Sequence, residues 1–161
     1  MISRDSIVRL LLRRPGTVES PVARWTATVL ALAGAAMLIW SAWIHLKLWA
    51  DGYQDIHVIG PLFLAQGIAC IVLAIPLVIW RALALQVIGA VTLIATAAGL
   101  LLSANYGLFG LHESLKVPYT VLSLYVEFGG AAVLLAGAAI LALASPAGKV
   151  QSNPSRAPSR T

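Results

Sequence analysis

One carboxylic acid lies inside a long apolar stretch, and its side chain is the one best placed for chemistry. Glu127 follows Pro118 by nine residues in the last apolar segment. A helix rises about 1.5 Å per residue, so Glu127 should lie roughly 14 Å from the start of that segment. A charge at the centre of a membrane span costs about 3 kcal/mol on insertion scales. Two interpretations follow: a carboxyl that carries a proton or binds a ligand, and an interhelical hydrogen bond that fixes the fold.

Polar side chains in the other apolar segments could meet this carboxyl. Helical periodicity places Ser123 on the same face as Glu127, because the two are four residues apart. Hydroxyl, amide and imidazole groups can all exchange hydrogen bonds with a carboxyl group. The predicted ligand-binding set consists of His45, Gln66, Ser123 and Glu127. The ligands open at this point are a quinone, a lipid headgroup and a proton.

The histidines are the second group with a possible chemical role. All three, His45, His57 and His112, fall at one side of the apolar segments. Imidazole suits Zn or Cu, and haem held between His45 and His112 is a further alternative. No two of them are four residues apart, so they are weak metal ligands, and solvated loop residues are the opposing interpretation. The lone cysteine, Cys70, excludes a cysteine cluster. The sequence therefore requires no metal or other cofactor.

Four apolar segments must position these side chains. Of the 161 residues, 60% are hydrophobic and 11% are charged, whereas soluble domains carry about 25% charged residues. The segments cover residues 25–45, 60–80, 82–105 and 118–144, and each can cross roughly 30 Å of hydrocarbon. Backbone groups in a bilayer must satisfy each other, so each segment should be a helix. The sequence predicts an all-α fold, a four-helix transmembrane bundle within residues 25–145.

Basic residues predict how the bundle is oriented. Nine of the eleven lie on one side of the segments, namely Arg4, Arg9, Arg13, Arg14, Arg24, Arg81, Lys149, Arg156 and Arg160. Only Lys47 and Lys116 lie on the other side. Loops rich in Lys and Arg stay in the cytoplasm, so both termini should be cytoplasmic in the plasma (inner) membrane. This topology also explains the formal charge of +5 without nucleic acid as a partner.

The two ends of the chain should be accessory to the bundle. Residues 1–24 form a basic N-terminal segment, and residues 7–14 within it combine apolar and arginine side chains. Such a stretch fits an amphipathic turn on the membrane surface, with a disordered basic tail as the alternative. Residues 146–161 are rich in Pro, Ser and Arg, and we predict that they are disordered.

The first predicted loop and its surroundings carry a recognisable pattern. In chain order it consists of His45-Leu-x-Leu-Trp49, Gly52-Tyr53, Ile56, Ile59-Gly60-Pro61-Leu62-Phe63 and Gln66. Together with Glu127 in the last segment, this pattern resembles a group of small four-span membrane proteins from high-GC actinobacteria. The chain also resembles, more distantly, the DoxX-like membrane proteins. These resemblances imply a four-span fold in an actinobacterial plasma membrane, and they imply no reaction.

No nucleophile–base set, phosphate loop or strong metal motif is evident in the sequence, so it favours a protein that is not an enzyme. The leading hypothesis is an accessory or scaffold subunit that packs against a membrane-protein partner or forms a homodimer. Ala95, Gly99 and Ser103, at four-residue spacing, support close helix packing. The alternative is a small-molecule-binding protein with a polar cavity around Glu127, in the half away from the arginines. A metal or haem site on that outer face is the weaker third hypothesis.

Overall fold

The computed structural model describes residues 4–107 and 118–144. This part of the chain contains five α-helices: α1 (Arg4–Leu11), α2 (Pro21–Ala50), α3 (Ile59–Trp80), α4 (Leu83–Tyr106) and α5 (Pro118–Leu143). The last four are long and apolar enough to cross a membrane. The fold is therefore an all-α bundle of four long helices, which confirms the predicted fold class. The tail predicted to be disordered, residues 146–161, lies outside the described residues.

Helix α2 is longer than the predicted segment, because local sequence signals extend both of its ends. Ser20 accepts a hydrogen bond through its hydroxyl from the backbone N–H three residues on. Pro21 then occupies the first turn, where its missing N–H costs nothing. At the other end, Lys47 reaches Asp51 with an Nζ–Oδ2 distance of 2.7 Å. The helix thus continues to Ala50 and passes the predicted limits of 25 and 45.

Helices α3 and α4 are joined by only Arg81 and Ala82. Arg81 has a φ of 51°, in the left-handed region, and this residue ends α3. We call this turn, together with α1 and the C-terminus of α5, the arginine-rich end of the bundle. Helix α2 packs along both α3 and α5, and α4 packs along α5, whereas α3 and α4 touch far less. The four helices form a ring in the order α3–α2–α5–α4, with a loose seam between α3 and α4.

The centre of the bundle is closely packed because glycines let the helices approach. Leu134 of α5 is fully buried in a slot formed by Gly34 of α2 and Gly89 of α4. A Cβ atom on Gly34 would collide with the Leu134 side chain, and one on Gly89 would lie 3.0 Å from its Cδ1. Close approach of this kind, more than hydrophobicity, drives helix association in lipid. We call this packed region the Leu134 core.

The segment between α1 and α2 is fastened to the arginine-rich end. The guanidinium group of Arg13 donates to the carbonyl oxygens of Ala142 (3.1 Å) and Ala144 (2.6 Å). The carbonyl of Arg13 accepts a hydrogen bond of 2.8 Å from the backbone N–H of Leu83. A helix leaves its last carbonyls unpaired and carries partial negative charge there, so a guanidinium is a favourable cap. Residues 4–11 form helix α1, whereas the amphipathic turn was predicted for residues 7–14, and its place on a membrane surface stays a prediction.

Candidate functional site

The loose seam between α3 and α4 contains a cavity of about 260 Å³, in the half of the bundle away from the arginine-rich end. Phe63 and Gln66 line it from α3, and Thr96 and Gly99 line it from α4. Ser103 of α4 also lines it, and helices α2 and α5 contribute the other polar groups. Pockets that enclose a drug-sized ligand measure about 300–1,000 Å³. This cavity therefore accommodates a headgroup or ring, with the rest of a larger molecule outside it.

Glu127 of α5 is the most unusual group on the cavity floor. Its side chain is fully buried, and Ser123 donates a hydrogen bond of 2.8 Å from its hydroxyl to Oε1. Oε2 is also buried, and it has no hydrogen-bond partner among the described residues. Leaving a buried acceptor unsatisfied costs about 1–3 kcal/mol, so such an atom in a native protein requires an explanation. A hydrogen-bond donor entering from the cavity would satisfy it once the neighbouring side chains shift, because Glu127 has no exposed surface in this arrangement.

His45 of α2 faces the same carboxyl group. Its Nδ1 lies 2.9 Å from the carbonyl oxygen of Ser41 in the preceding turn. A carbonyl only accepts, so this contact assigns a proton to Nδ1 and leaves Nε2 for another partner. Nε2 is 3.9 Å from Oε1 of Glu127, which is too long for a hydrogen bond. Imidazole and carboxyl thus stand beside each other without bonding directly, and one polar group of a ligand can contact both.

Two aromatic rings cover His45, one from the start of α3 and one from the connection between α2 and α3. The ring of Phe63 lies 5.1 Å from the His45 imidazole, and Tyr53 stacks on Phe63 at 4.8 Å, measured between centroids. The connection packs tightly against the start of α3, because a Cβ atom on Gly60 would lie 2.6 Å from the carbonyl oxygen of Gln54. These two rings cover the imidazole at the end of the bundle. They do not cover the side of the cavity that lies at the seam between α3 and α4.

The four residues predicted from the sequence line this one cavity: His45, Gln66, Ser123 and Glu127. Gln66 enters it from α3, and its amide nitrogen donates to the Cys70 sulfur at 3.4 Å. Their role in binding a ligand stays a prediction, since the geometry gives their proximity and no occupant.

Small residues of α4 form much of one wall of the cavity. Ala95, Gly99 and Ser103, interpreted as a packing face, all line the cavity in α4. A Cβ atom on Gly99 would meet no other atom within 4 Å. Small residues at four-residue spacing therefore border a gap here, and the spacing alone does not distinguish a gap from a contact.

The charge of the cavity limits its chemistry. Among the lining residues in the described ranges, none is Lys or Arg, and the acidic and imidazole groups are Glu127 and His45. Most of the remaining surface is aliphatic or aromatic. Such a lining suits a neutral or cationic polar group on an apolar body, and it lacks the cations that phosphate oxygens need.

The structure does not gather the histidines into a metal site within residues 4–107 and 118–144. There, no three side chains of His, Cys, Asp or Glu lie close enough to hold a metal ion. His45 is buried, whereas His57 is exposed in the connection between α2 and α3. His112 lies outside the described residues, so the haem alternative that pairs it with His45 stays a prediction.

Comparison of the chain with protein-family models, with curated proteins and with solved structures gives no match. The chemistry of the cavity is therefore the basis on which a function can be argued.

Proposed function

We propose that this protein binds a lipid-soluble molecule whose polar group enters the cavity and donates a hydrogen bond to Glu127. The observation that carries the proposal is Oε2 of Glu127, which is buried beside the cavity without a partner among the described residues. A hydroxyl group, as in a quinol or a lipid alcohol, supplies the missing donor. The same hydroxyl can also contact Nε2 of His45, which is next to the carboxyl.

The proposed route of entry is lateral, from the bilayer through the seam between α3 and α4. These two helices make the least contact of the neighbours in the ring, and the cavity lies between them. Leu62 of α3, which lines the cavity, is 48% exposed and Leu102 of α4 is 50% exposed, so both suit contact with acyl chains. A molecule with a small polar head would place the head in the cavity and its apolar body against these side chains.

Mass spectrometry of copurified molecules tests the proposal. The full chain is purified from its native membrane in mild detergent, and bound molecules are extracted and identified. We expect the wild type to retain a hydroxyl-bearing apolar molecule and Glu127→Leu to lose up to about tenfold of it, since one hydrogen bond contributes about 0.5–1.5 kcal/mol.

Gln86→Leu is the matched control. Gln86 is as fully buried as Glu127 but does not line the cavity. Retention should therefore be unchanged in this variant. Equal retention in the wild type and Glu127→Leu, or a bound molecule without a donor group, contradicts the proposal.

A second candidate function is the accessory or scaffold role, and one feature of α5 favours it. Gly129, Ala132 and Ala136 form an exposed stripe of small residues, which would let another helix approach closely. The partner would be a second copy of the chain or another membrane protein. The mass of the intact particle in nanodiscs separates the two candidates. A monomer that carries a small ligand supports binding, and a dimer that Ala132→Leu disrupts supports the scaffold role.

We also infer that the arginine-rich end faces the cytoplasm and that the chain resides in a plasma membrane. The excess of arginines at this end supports the orientation, and the resemblance to actinobacterial four-span proteins supports the location. The cavity then lies in the outer half of the bilayer. A green fluorescent protein fused to the C-terminus should fluoresce, because it matures in the cytoplasm; a dark fusion would reverse the orientation.

A further inference from the structure

The first helix presents an apolar face that no described part of the chain covers. No residue of α1 is buried. Five apolar side chains in α1 and directly after it are 40–59% exposed: Ile7, Val8, Leu10, Leu11 and Leu12. At 3.6 residues per turn, the four within α1 span about 160° on one side of the helix, and Asp5 and Arg9 lie on the other. This distribution is typical of a helix that lies in the plane of a membrane interface.

Arg13 determines where that face lies in the molecule. Its guanidinium group binds the last carbonyls of α5, and its carbonyl accepts from the first residue of α4, Leu83. Both helices are long enough to cross a membrane, so their ends mark the level at which hydrocarbon gives way to headgroups. Helix α1 is therefore held at the boundary where an amphipathic helix can insert.

The Arg81 side chain, in the turn between α3 and α4, has an unsatisfied hydrogen-bond donor among the described residues. Its Nε atom is buried, and among the described residues it has no hydrogen-bond partner. Arg81 lies two residues before Leu83, so it is close to the point where the N-terminal segment is fastened. Guanidinium N–H groups match the oxygens of a phosphate, often two at a time.

Three further arginines of this region are also free to bind phosphate oxygens. Arg4, Arg9 and Arg14 are exposed, and none of them forms an ion pair with a carboxylate within residues 4–107 and 118–144. Among the described residues, the surface therefore combines positive charge that no acidic side chain pairs with and an apolar face that no helix covers. An anionic phospholipid has the complementary pair of features, a phosphate group and acyl chains.

We propose that α1 and the Arg81 turn form a binding surface for anionic phospholipids, with the apolar face of α1 among the acyl chains and the arginines on the phosphates. This surface and the cavity lie in opposite halves of the bundle, so the two proposals stand or fall separately.

Competition between two lipids tests the surface directly. The full chain is incubated with equal amounts of phosphatidylglycerol and phosphatidylcholine, and retained lipids are counted by native mass spectrometry. An arginine near an anionic surface favours binding by about fivefold. We therefore expect the preference for phosphatidylglycerol to fall about fivefold in Arg81→Gln, and at least about tenfold in Arg4→Gln/Arg9→Gln/Arg14→Gln.

Lys47→Gln removes one partly exposed charge, paired with Asp51, at the opposite end, and it is the single-charge control for Arg81→Gln. Its lipid preference should equal that of the wild type. A wild type that retains both lipids equally overturns the proposal. So does a preference that falls as much in Lys47→Gln as in the arginine variants, because net charge alone would then explain it.

Spin labels in the full chain give a second, independent measurement. Ile7→Cys places a label on the apolar face of α1, and Asp5→Cys places one on the polar face. The native Cys70 is fully buried and should take no label. In nanodiscs that contain phosphatidylglycerol, we expect the label at residue 7 to meet oxygen and the label at residue 5 to meet a water-soluble nickel complex. Equal exposure of both labels to the nickel complex contradicts insertion of α1.

Discussion

Two sites on one face of α5 show opposite solutions to helix packing. Leu134 and Glu127 are seven residues, or roughly two helical turns, apart. At Leu134, glycines of α2 and α4 bring three helices together around a fully buried side chain. At Glu127, α3 and α4 stand apart, and a cavity takes the place of the contact. The residue types that face α5 decide which outcome occurs at each level.

The comparison shows that small residues act in two ways. Gly34 and Gly89 form a slot, and the Leu134 side chain fills it. Gly99 also leaves a space, but no side chain of the described residues enters it. A gap beside a partnerless carboxyl oxygen is unfavourable in the free protein, and the close packing of the Leu134 core can offset that cost. A site that binds a ligand benefits from such an unfilled space, whereas a purely structural bundle does not.

The largest expected effect comes from filling the slot of the Leu134 core. Gly34→Leu forces its side chain into the space of Leu134, and overpacking of this kind costs about 3 kcal/mol. In mild detergent, we expect the apparent melting temperature to fall by roughly 10 °C. The reaction of a thiol-reactive dye with Cys70 can report unfolding, because that thiol is buried in the folded chain.

Gly129→Leu is the matched control for this substitution. A Cβ atom on Gly129 would meet nothing within 4 Å, so an added side chain projects freely from α5. The melting temperature of this variant should be unchanged or slightly raised, because leucine favours a helix more than glycine does. Equal losses in the two variants would show that Gly34 does not form a tight slot.

A smaller effect is expected at the arginine-rich end. Arg13→Gln removes the guanidinium bonds to the carbonyls of Ala142 and Ala144, at a cost of about 2 kcal/mol. The apparent melting temperature should fall by roughly 5 °C. Arg14→Gln is the control, because its exposed side chain makes no such bond among the described residues, and it should melt as the wild type does. Identical melting of all three chains would mean that the N-terminal segment is not fastened by Arg13.

Much of the fold and part of the cavity around Glu127 could be predicted from the sequence. Long apolar segments in a bilayer have to be helices, so the bundle was predictable. His45, Gln66 and Ser123 could also be predicted as neighbours of Glu127, because each is polar and falls in the half of an apolar segment away from the arginines. The cap made by Arg13 was not predictable, since its acceptor at Ala142 is 129 residues further along the chain. Gly99 at the cavity wall and Gly34 in the slot look alike in sequence, and only the positions of neighbouring helices separate them.

The smallest expected change in stability, and the most direct test of the binding cavity, comes from Gly99→Leu. This substitution places a leucine side chain in the cavity, because Gly99 lines it. No clash is expected at the Cβ atom, since no described atom lies within 4 Å of that position. Gly129→Leu makes the same change on an open helix face outside the cavity.

The measurement is the occupancy of the copurified ligand, read by native mass spectrometry in the wild type, Gly99→Leu and Gly129→Leu. If the cavity holds the ligand, occupancy falls at least about tenfold, or about 1.4 kcal/mol, in Gly99→Leu alone, while all three chains melt at similar temperatures. A ligand retained equally by Gly99→Leu and Gly129→Leu would contradict binding in the cavity beside Glu127.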